Sequence, residues 1–334
     1  MVLLTVCCSF GMADGAAETF GCEANPTGDP IGGGEGYRDI KTTGDFIVRT
    51  KAELLDAFKK AKAGQTIFIP DGIEIDLTGH KNIGLPTGVV LAGTRGLNGS
   101  PGARIFTTWR ENHYLMRMSG PETRITGLRF EGSCGSREAV ADMNFFLGIA
   151  GYRSEVDNCE IYNFNIVGID TGYATNDIYI HHNYIHHCQR SGYGYGILSS
   201  GTNVQIIANH FDWCRHHVAC GGLPGSSYEA AWNLVGPNAN STSFDMHGGG
   251  DRGDGTAIAG DWIRVHHNTI KWAGYAVGIR GTPSQFAEIH HNWFSKPAGE
   301  AVFSLGGNTR VYENLWGPDN THQGEPIEGV IRLK

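Results

Sequence analysis

The sequence predicts an all-β chain wound into one single-domain, right-handed parallel β-helix, a solenoid capped by an N-terminal amphipathic helix. The first observation is a repeated motif: VDNCEI, IHHNYI, IIANHF, AAWNLV, VHHNTI, IHHNWF and VYENLW. Each copy sets an apolar residue, two variable residues, a fixed-position residue and, after one more, usually a second apolar residue. The fixed position is held by Cys159, Asn183, Asn209, Asn233, Asn268, Asn292 and Asn314, at intervals of 24, 26, 24, 35, 24 and 22 residues. A unit this short cannot bury an apolar face alone, whereas stacked copies can. The second observation is 49 glycines in 334 residues, about twice the ordinary share, as a chain of many tight corners requires. The third is the lack of helical periodicity inside the unit, which excludes helical and leucine-rich repeats.

Taken in chain order, MVLLTVCCSFGMADGAAETFGC has an apolar run too short to span a bilayer, followed by small residues. It reads as a leader over residues 1–22, with the β-helix domain over 23–334 and a secreted, periplasmic or cell-surface destination. No other stretch reaches membrane length. Apart from Cys7 and Cys8 near the start, six of the eight cysteines remain and none forms a CxxC pair, which argues against structural zinc. A net charge of -8 without a Lys/Arg cluster argues against nucleic acid as a partner.

The capping helix is read from TKAELLDAFKKAKAG, where Thr50 and Glu53 form a capping box and Leu54, Leu55, Phe58 and Ala61 one apolar stripe. Such a helix covers strand edges that would otherwise stay unpaired. TIFIPDG, GVVLAGT and TRITGLRF begin the rungs, with Leu128 at the repeated position. Asparagines recurring there form an internal ladder, each amide bonding backbone or the next Asn at about 4.8 Å rung spacing. The doublets His181–His182, His266–His267 and His290–His291 sit beside it and are expected to be a structural column. No cap is legible after Asn314.

The 35-residue interval breaks the rhythm with roughly eleven extra residues, which belong to SFDMHGGGDRGDGTAIAGD, Ser243 to Asp261. Solenoids admit insertions where loops leave the stack, commonly on the binding face. Aligning the rungs on their Gly corners gives an outward column of Asp170, Ser199, Cys220, His247, Arg280 and Leu305, with Asp245 on the same face. Counting from Asn instead sets Asp245 beside Arg280. Both frames bring a carboxylate, an imidazole and a guanidinium together. CRHHVACGGLPGSSYEA brings Arg215, His216 and His217 toward this column from the preceding rung, with Tyr228 at the next corner and Arg252 in the loop.

A shallow groove on a β-helix suits an extended polymer. Trp213, Trp232, Trp262, Trp272, Tyr193 and Tyr195 are candidates to stack on its sugars. Arg and His together suit β-elimination on an acidic, uronate-containing polysaccharide. The arginine neutralises the carboxylate beside C5, a His removes the C5 proton, and Tyr228 is a candidate acid toward the leaving oxygen. The rival is hydrolysis by two of Asp245, Asp251, Asp254 and Asp261. A non-catalytic, glycan-binding or adhesive β-helix is the third reading. Asp251 and Asp254 are also candidate ligands for Ca²⁺ or another divalent cation, although no cofactor is required by the pattern.

This organisation resembles the pectate-lyase-like family of right-handed β-helices, from near Thr50 to Asn314. DGTAIAGDWIRVHHNTI looks like that family's calcium-loop segment and IRGTPSQFAEIHHNWF like its catalytic segment. The resemblance implies a calcium ligand at Asp254 and a catalytic arginine at Arg280. Where the family has a second calcium Asp this chain has Ile258, its Pro falls at Pro283, and Phe286 or a neighbour stands at the second Arg position. CRHHVACGG and FDMHGG suggest a different branch with His-centred chemistry. The leading expectation is therefore a polysaccharide lyase whose site draws on Arg215, His216, His217, Tyr228, Asp245, His247, Arg252 and Arg280.

Overall fold

A computed structural model describes residues 19–110, 112–136 and 144–317. The chain coils as the sequence predicts. Among the described residues its strands form three parallel sheets of eleven, nine and ten members, and each turn of the coil contributes one strand to each. Inward positions stack in register: Val156, Ile180, Ile206, Ala230, Val265, Ile289 and Val311 follow one another through the eleven-stranded sheet. Leu147, Ile169, Ile197, Val218, Phe244, Val277 and Val302 do the same in the nine-stranded sheet. All of these are fully buried, and such burial stabilises by roughly 1.5–3 kcal/mol for each large apolar side chain.

The helix Lys51–Lys60 closes the first rungs. The Thr50 hydroxyl accepts from the Glu53 amide, and the Glu53 carboxylate accepts from the Thr50 amide, so the expected capping box is present. Leu54 and Ala57 turn into the core, with Phe58 and Ala61 packed at its margin.

The asparagine ladder is continuous. The Asn183 amide and side chain both donate to Asn209 Oδ1 at 3.0 Å, and the same pair of bonds links Asn209 to Asn233, Asn233 to Asn268, Asn268 to Asn292 and Asn292 to Asn314. The residue before each ladder position takes a left-handed conformation, at φ +48° to +56° for Asn158, His182, Ala208, Trp232, His267, His291 and Glu313. That bend turns the second imidazole of each doublet across the first. Successive doublets then stack, His266 on His290 at 5.1 Å and His267 on His291 at 4.9 Å. The doublets therefore build a packed corner.

The segment after residue 18 runs along this corner against the direction of coil growth. Phe20 stacks on His291 at 5.2 Å, the Gly21 amide donates to the His291 carbonyl and the Gly32 amide to that of Ala208, and the Tyr37 hydroxyl donates to Asp157. Gly33 passes so close that a Cβ would lie 2.3 Å from the His182 carbonyl. Residues 1–18 of the expected leader lie outside the described residues. A cut after Cys22 would remove the Phe20 and Gly21 contacts.

Asn233→Ala leaves the buried Asn209 backbone amide without its acceptor and removes one of the two donors to Asn268 Oδ1, so denaturant unfolding should show a loss of about 1–3 kcal/mol; an unchanged midpoint would mean the ladder is not stabilising. Burial also pushes His182 and His216 down to about 4 and His217 and His290 down to about 3. Unfolded, these groups take up protons near the ordinary value of 6.5, so the unfolded chain binds more protons below that pH. Stability is fully present above 6.5 and is lost as pH falls toward the folded values. The melting temperature should begin to drop below about pH 6.5, before ordinary carboxylates titrate, and His217→Leu should flatten that slope.

Candidate active site

The site lies on the outer face of the nine-stranded sheet, where the insertion leaves the stack. Strand Phe244–Met246 pairs with Val277–Ile279 so that Met246 aligns with Ile279, which sets His247 beside Arg280 one residue further on. Asp245 aligns with Gly278. A Cβ at Gly278 would lie 3.1 Å from Asp245 Oδ1 and 2.5 Å from the Phe303 ring. That small residue leaves room for the Arg280 side chain to reach diagonally, and its Nε donates to Asp245 Oδ1 at 2.8 Å. The two sequence frames thus meet: His247 and Arg280 share a row, and Arg280 also bonds Asp245.

Asp245 is the hub. It is fully buried, and its second oxygen lies 3.0 Å from His247 Nε2 and 3.7 Å from His216 Nε2. Burial alone would raise its pKa, yet the His247 contact and Arg280 hold it below the ordinary carboxylate value. It therefore stays ionised. His247 is 30% exposed and Arg280 28%, so both remain open to a ligand while the carboxylate fixing them is sealed. Arg280 Nη1 also lies 3.6 Å from Asp251.

The two preceding rungs add three groups. His216 pairs with Tyr195 in the sheet, and their rings stack at 5.7 Å and 10°. His216 Nδ1 lies 2.5 Å from the Thr242 carbonyl, so Nδ1 carries the proton and burial keeps the ring neutral. Arg215 is half-buried, and its charge acts on the Tyr195 hydroxyl. It has no carboxylate partner among the described residues. Tyr195 was legible only as an aromatic platform; its closeness to Arg215 and Asp245 needs the register of the rungs.

Two expected site residues sit inside the coil. His217 is fully buried against Phe211, ring centroids 6.0 Å apart, and Tyr228 is fully buried on the interior side of strand Tyr228–Ala231. Neither reaches a ligand on the outer face. The outward column also slips in its early rungs: Cys220 aligns with the inward Met246, both Cys220 and Ser199 are buried, and Asp170 aligns with Leu198.

The insertion is held by its own residues. Arg252 donates through Nη1 to the carbonyls of Gly221 and Gly222, through Nη2 to that of Ile258, and through Nε to Asp254. Its guanidinium clamps the loop to the rung and is not offered to a substrate. Asp254 also accepts from the Thr256 amide and hydroxyl, which with Arg252 lower it to about 2. Asp251 accepts from the Gly248 amide, and Asp261 from Ser284 and the Gly225 amide. Asp251 and Asp254 thus face different partners and do not converge as cation ligands. Among the described residues the group close enough to hold a metal is Glu155, Asp157 and His181, with ligand atoms within 4.8 Å of one another. There Arg124 already bonds both oxygens of Asp157 at 2.7 Å, supplying the charge a cation would bring.

Of the candidate platforms, Tyr193 and Trp213 are exposed. Trp232 and Trp262 stack on His267 and Phe286, and Trp272 packs against the core.

No protein-family model matches the chain, and no curated protein matches it in sequence. Among solved structures, an alginate lyase from Paenibacillus sp. str. FPU-7 is similar with a TM-score of 0.59 and 16% identity, over 81% of this chain and 97% of that one. Two crystal structures of a pectin methylesterase with hexasaccharides cover 88% of this chain and 94% of theirs at 11% identity, with TM-scores of 0.34 and 0.33. The alginate lyase likeness shows a shared right-handed parallel β-helix. The other two are too loose to carry an argument.

Arg252→Met should release the insertion without unstacking the rungs. Limited proteolysis should then cut within residues 249–260 well before the parent chain, at a nearly unchanged melting temperature. Equal protection in both proteins would refute the clamp.

Proposed function

We propose that this chain is an exported polysaccharide lyase that cleaves an acidic, uronate-bearing glycan by β-elimination. The observation that carries the reading is the row Asp245–His247–Arg280, two partly open cationic or basic groups held by one buried carboxylate on an open sheet face. His247 Nε2 lies 3.0 Å from the Asp245 carboxylate; with the proton on that nitrogen, Nδ1 keeps its lone pair, and no described residue hydrogen bonds it. That nitrogen suits removal of the C5 proton. The electrons released form the C4–C5 double bond as the C4–oxygen bond breaks, and the leaving oxygen takes a proton.

Arg215 suits the uronate carboxylate, because no acidic side chain among the described residues competes for it, and neutralising that group lowers the cost of the developing charge. Arg280 adds positive potential from the other side, moderated by Asp245 and Asp251. Tyr195, held protonated by burial beside Arg215, suits the proton donor that the sequence pattern sought in Tyr228. The alginate lyase shares the coil, which is compatible with a polymer lying along the same kind of surface.

Hydrolysis is less well supported. It needs one carboxyl kept protonated opposite a carboxylate, whereas Asp245 is held ionised and Asp254 lies at about 2. Incubation with alginate, pectate and glucuronan should produce the ultraviolet absorbance of an unsaturated uronate. His247→Ala should lower the rate by about 10²–10⁴ with the fold intact by circular dichroism. New reducing ends without that absorbance, or full activity in His247→Ala, would overturn the proposal.

A further inference from the structure

A second insertion faces the same rows from the opposite corner. Six residues, Gln189 to Gly194, separate Cys188 from Tyr195, whereas one rung later Arg215 alone separates Cys214 from His216. The six fold as a tight hairpin, with Arg190 bridged to Tyr193 and Gln189 Nε2 donating to the Gly135 carbonyl at 2.9 Å. Gly194 closes it at φ +99°, where a Cβ would come within 2.6 Å of the Arg190 amide. The hairpin thus stands beside Tyr195 at one end of the strand row, and the Arg252-clamped loop stands at the other.

Arg190 is only 9% exposed, and its Nε and Nη1 are buried without a hydrogen-bond partner among the described residues. Other sheltered arginines here are matched: Arg124 by Asp157, Arg252 by loop carbonyls and Arg95 by the Gly32 carbonyl. A guanidinium does not shed its proton to escape burial. Two desolvated donors without acceptors are costly unless an anion completes them. The group lies just beneath the surface, its Cζ 5.6 Å from the ring of Tyr193, which is 44% exposed, so a shift of that ring is what would open Nε and Nη1 to a ligand.

We propose that Arg190 binds the carboxylate of a uronate unit flanking the one that reacts, with Tyr193 as the platform for its sugar ring. This rests on the lyase reading for the identity of the ligand, though not for the anion site itself. The Tyr195 rung lies two rungs from the Asp245 rung, about 10 Å along the axis. The Tyr195 side chain lies within charge range of Asp245 and Arg280, whereas the hairpin stands beyond it, so an oligosaccharide can touch both Arg190 and the reacting row and a single sugar cannot. Planar, two-pronged recognition of a carboxylate is what an arginine offers and a lysine does not.

The test uses titration calorimetry in a His247→Ala background, which keeps the probe uncleaved. The probes are a mannuronate tetrasaccharide, a galacturonate tetrasaccharide, a carboxyl-reduced tetrasaccharide and acetate. Arg190→Gln should weaken one of the acidic tetrasaccharides about tenfold or more, Arg190→Lys by less, and the reduced sugar not at all. In the active enzyme Arg190→Gln should raise KM by a similar factor and leave kcat near its parent value. Equal binding of the acidic probes to both proteins would overturn the assignment. Acetate binding as tightly as the tetrasaccharides would also overturn it, marking a site for small carboxylates. Arg190-dependent binding without cleavage of any uronate polymer would uphold the site and sink the lyase reading. Cleavage with an unchanged KM in Arg190→Gln would do the reverse.

Discussion

Stacking in register at one rung spacing is the constraint from which the rest of the molecule follows. Each inward Val, Ile or Phe is buried only because its counterparts lie directly above and below it. The buried Asn side chains likewise depend on their neighbours, since each Oδ1 accepts two bonds from the previous Asn and each Nδ2 donates onward. A slip of one residue in any rung would bury amide groups without partners and expose the apolar stack. Register is therefore specified twice, by polar bonds at one corner and by shape inside the coil.

That rigidity lets residues distant in sequence form one site. Tyr195, Arg215, Asp245 and Arg280 come from four successive rungs, and no short motif contains them all. The carboxylate between His247 and Arg280 lies sealed in the wall and keeps its charge because those two neighbours offset its burial, while both remain open. Loops enter where the sheet ends, so the insertion at Gly249–Arg252 and the hairpin at Gln189–Gly194 border the row without disturbing the ladder. Glycine opposite Asp245 and glycine at the hairpin corner mark the places where side chain or backbone had to come closest.

Much of the fold was legible because periodic burial leaves periodic residues. The ladder could be read since Asn has few reasons to recur beside apolar strands except to bond its copies. The capping box likewise announced the helix. The site was legible only in part, because inward–outward parity fails at one place. Tyr195 aligns with His216 and Ile197 with Val218, yet His217 and Val218 are both buried in the interior. Two consecutive inward residues defeat strict alternation, and His217 was accordingly assigned to the wrong side. Tyr228 was misplaced for a related reason: its corner precedes an inward position rather than an outward one. Arg252 and Asp254 carried charges that looked available until their backbone partners were seen. Arg190 gave no signal in the sequence, since its isolation is a matter of what fails to surround it.

The central claim is that this row breaks a glycosidic linkage by elimination rather than by adding water. Mass spectrometry of the products formed from uronate polymers in heavy-oxygen water separates the two directly. The account predicts dehydrated, unsaturated chain ends with no heavy oxygen incorporated at the cleaved linkage. Saturated products carrying the solvent's oxygen would contradict it.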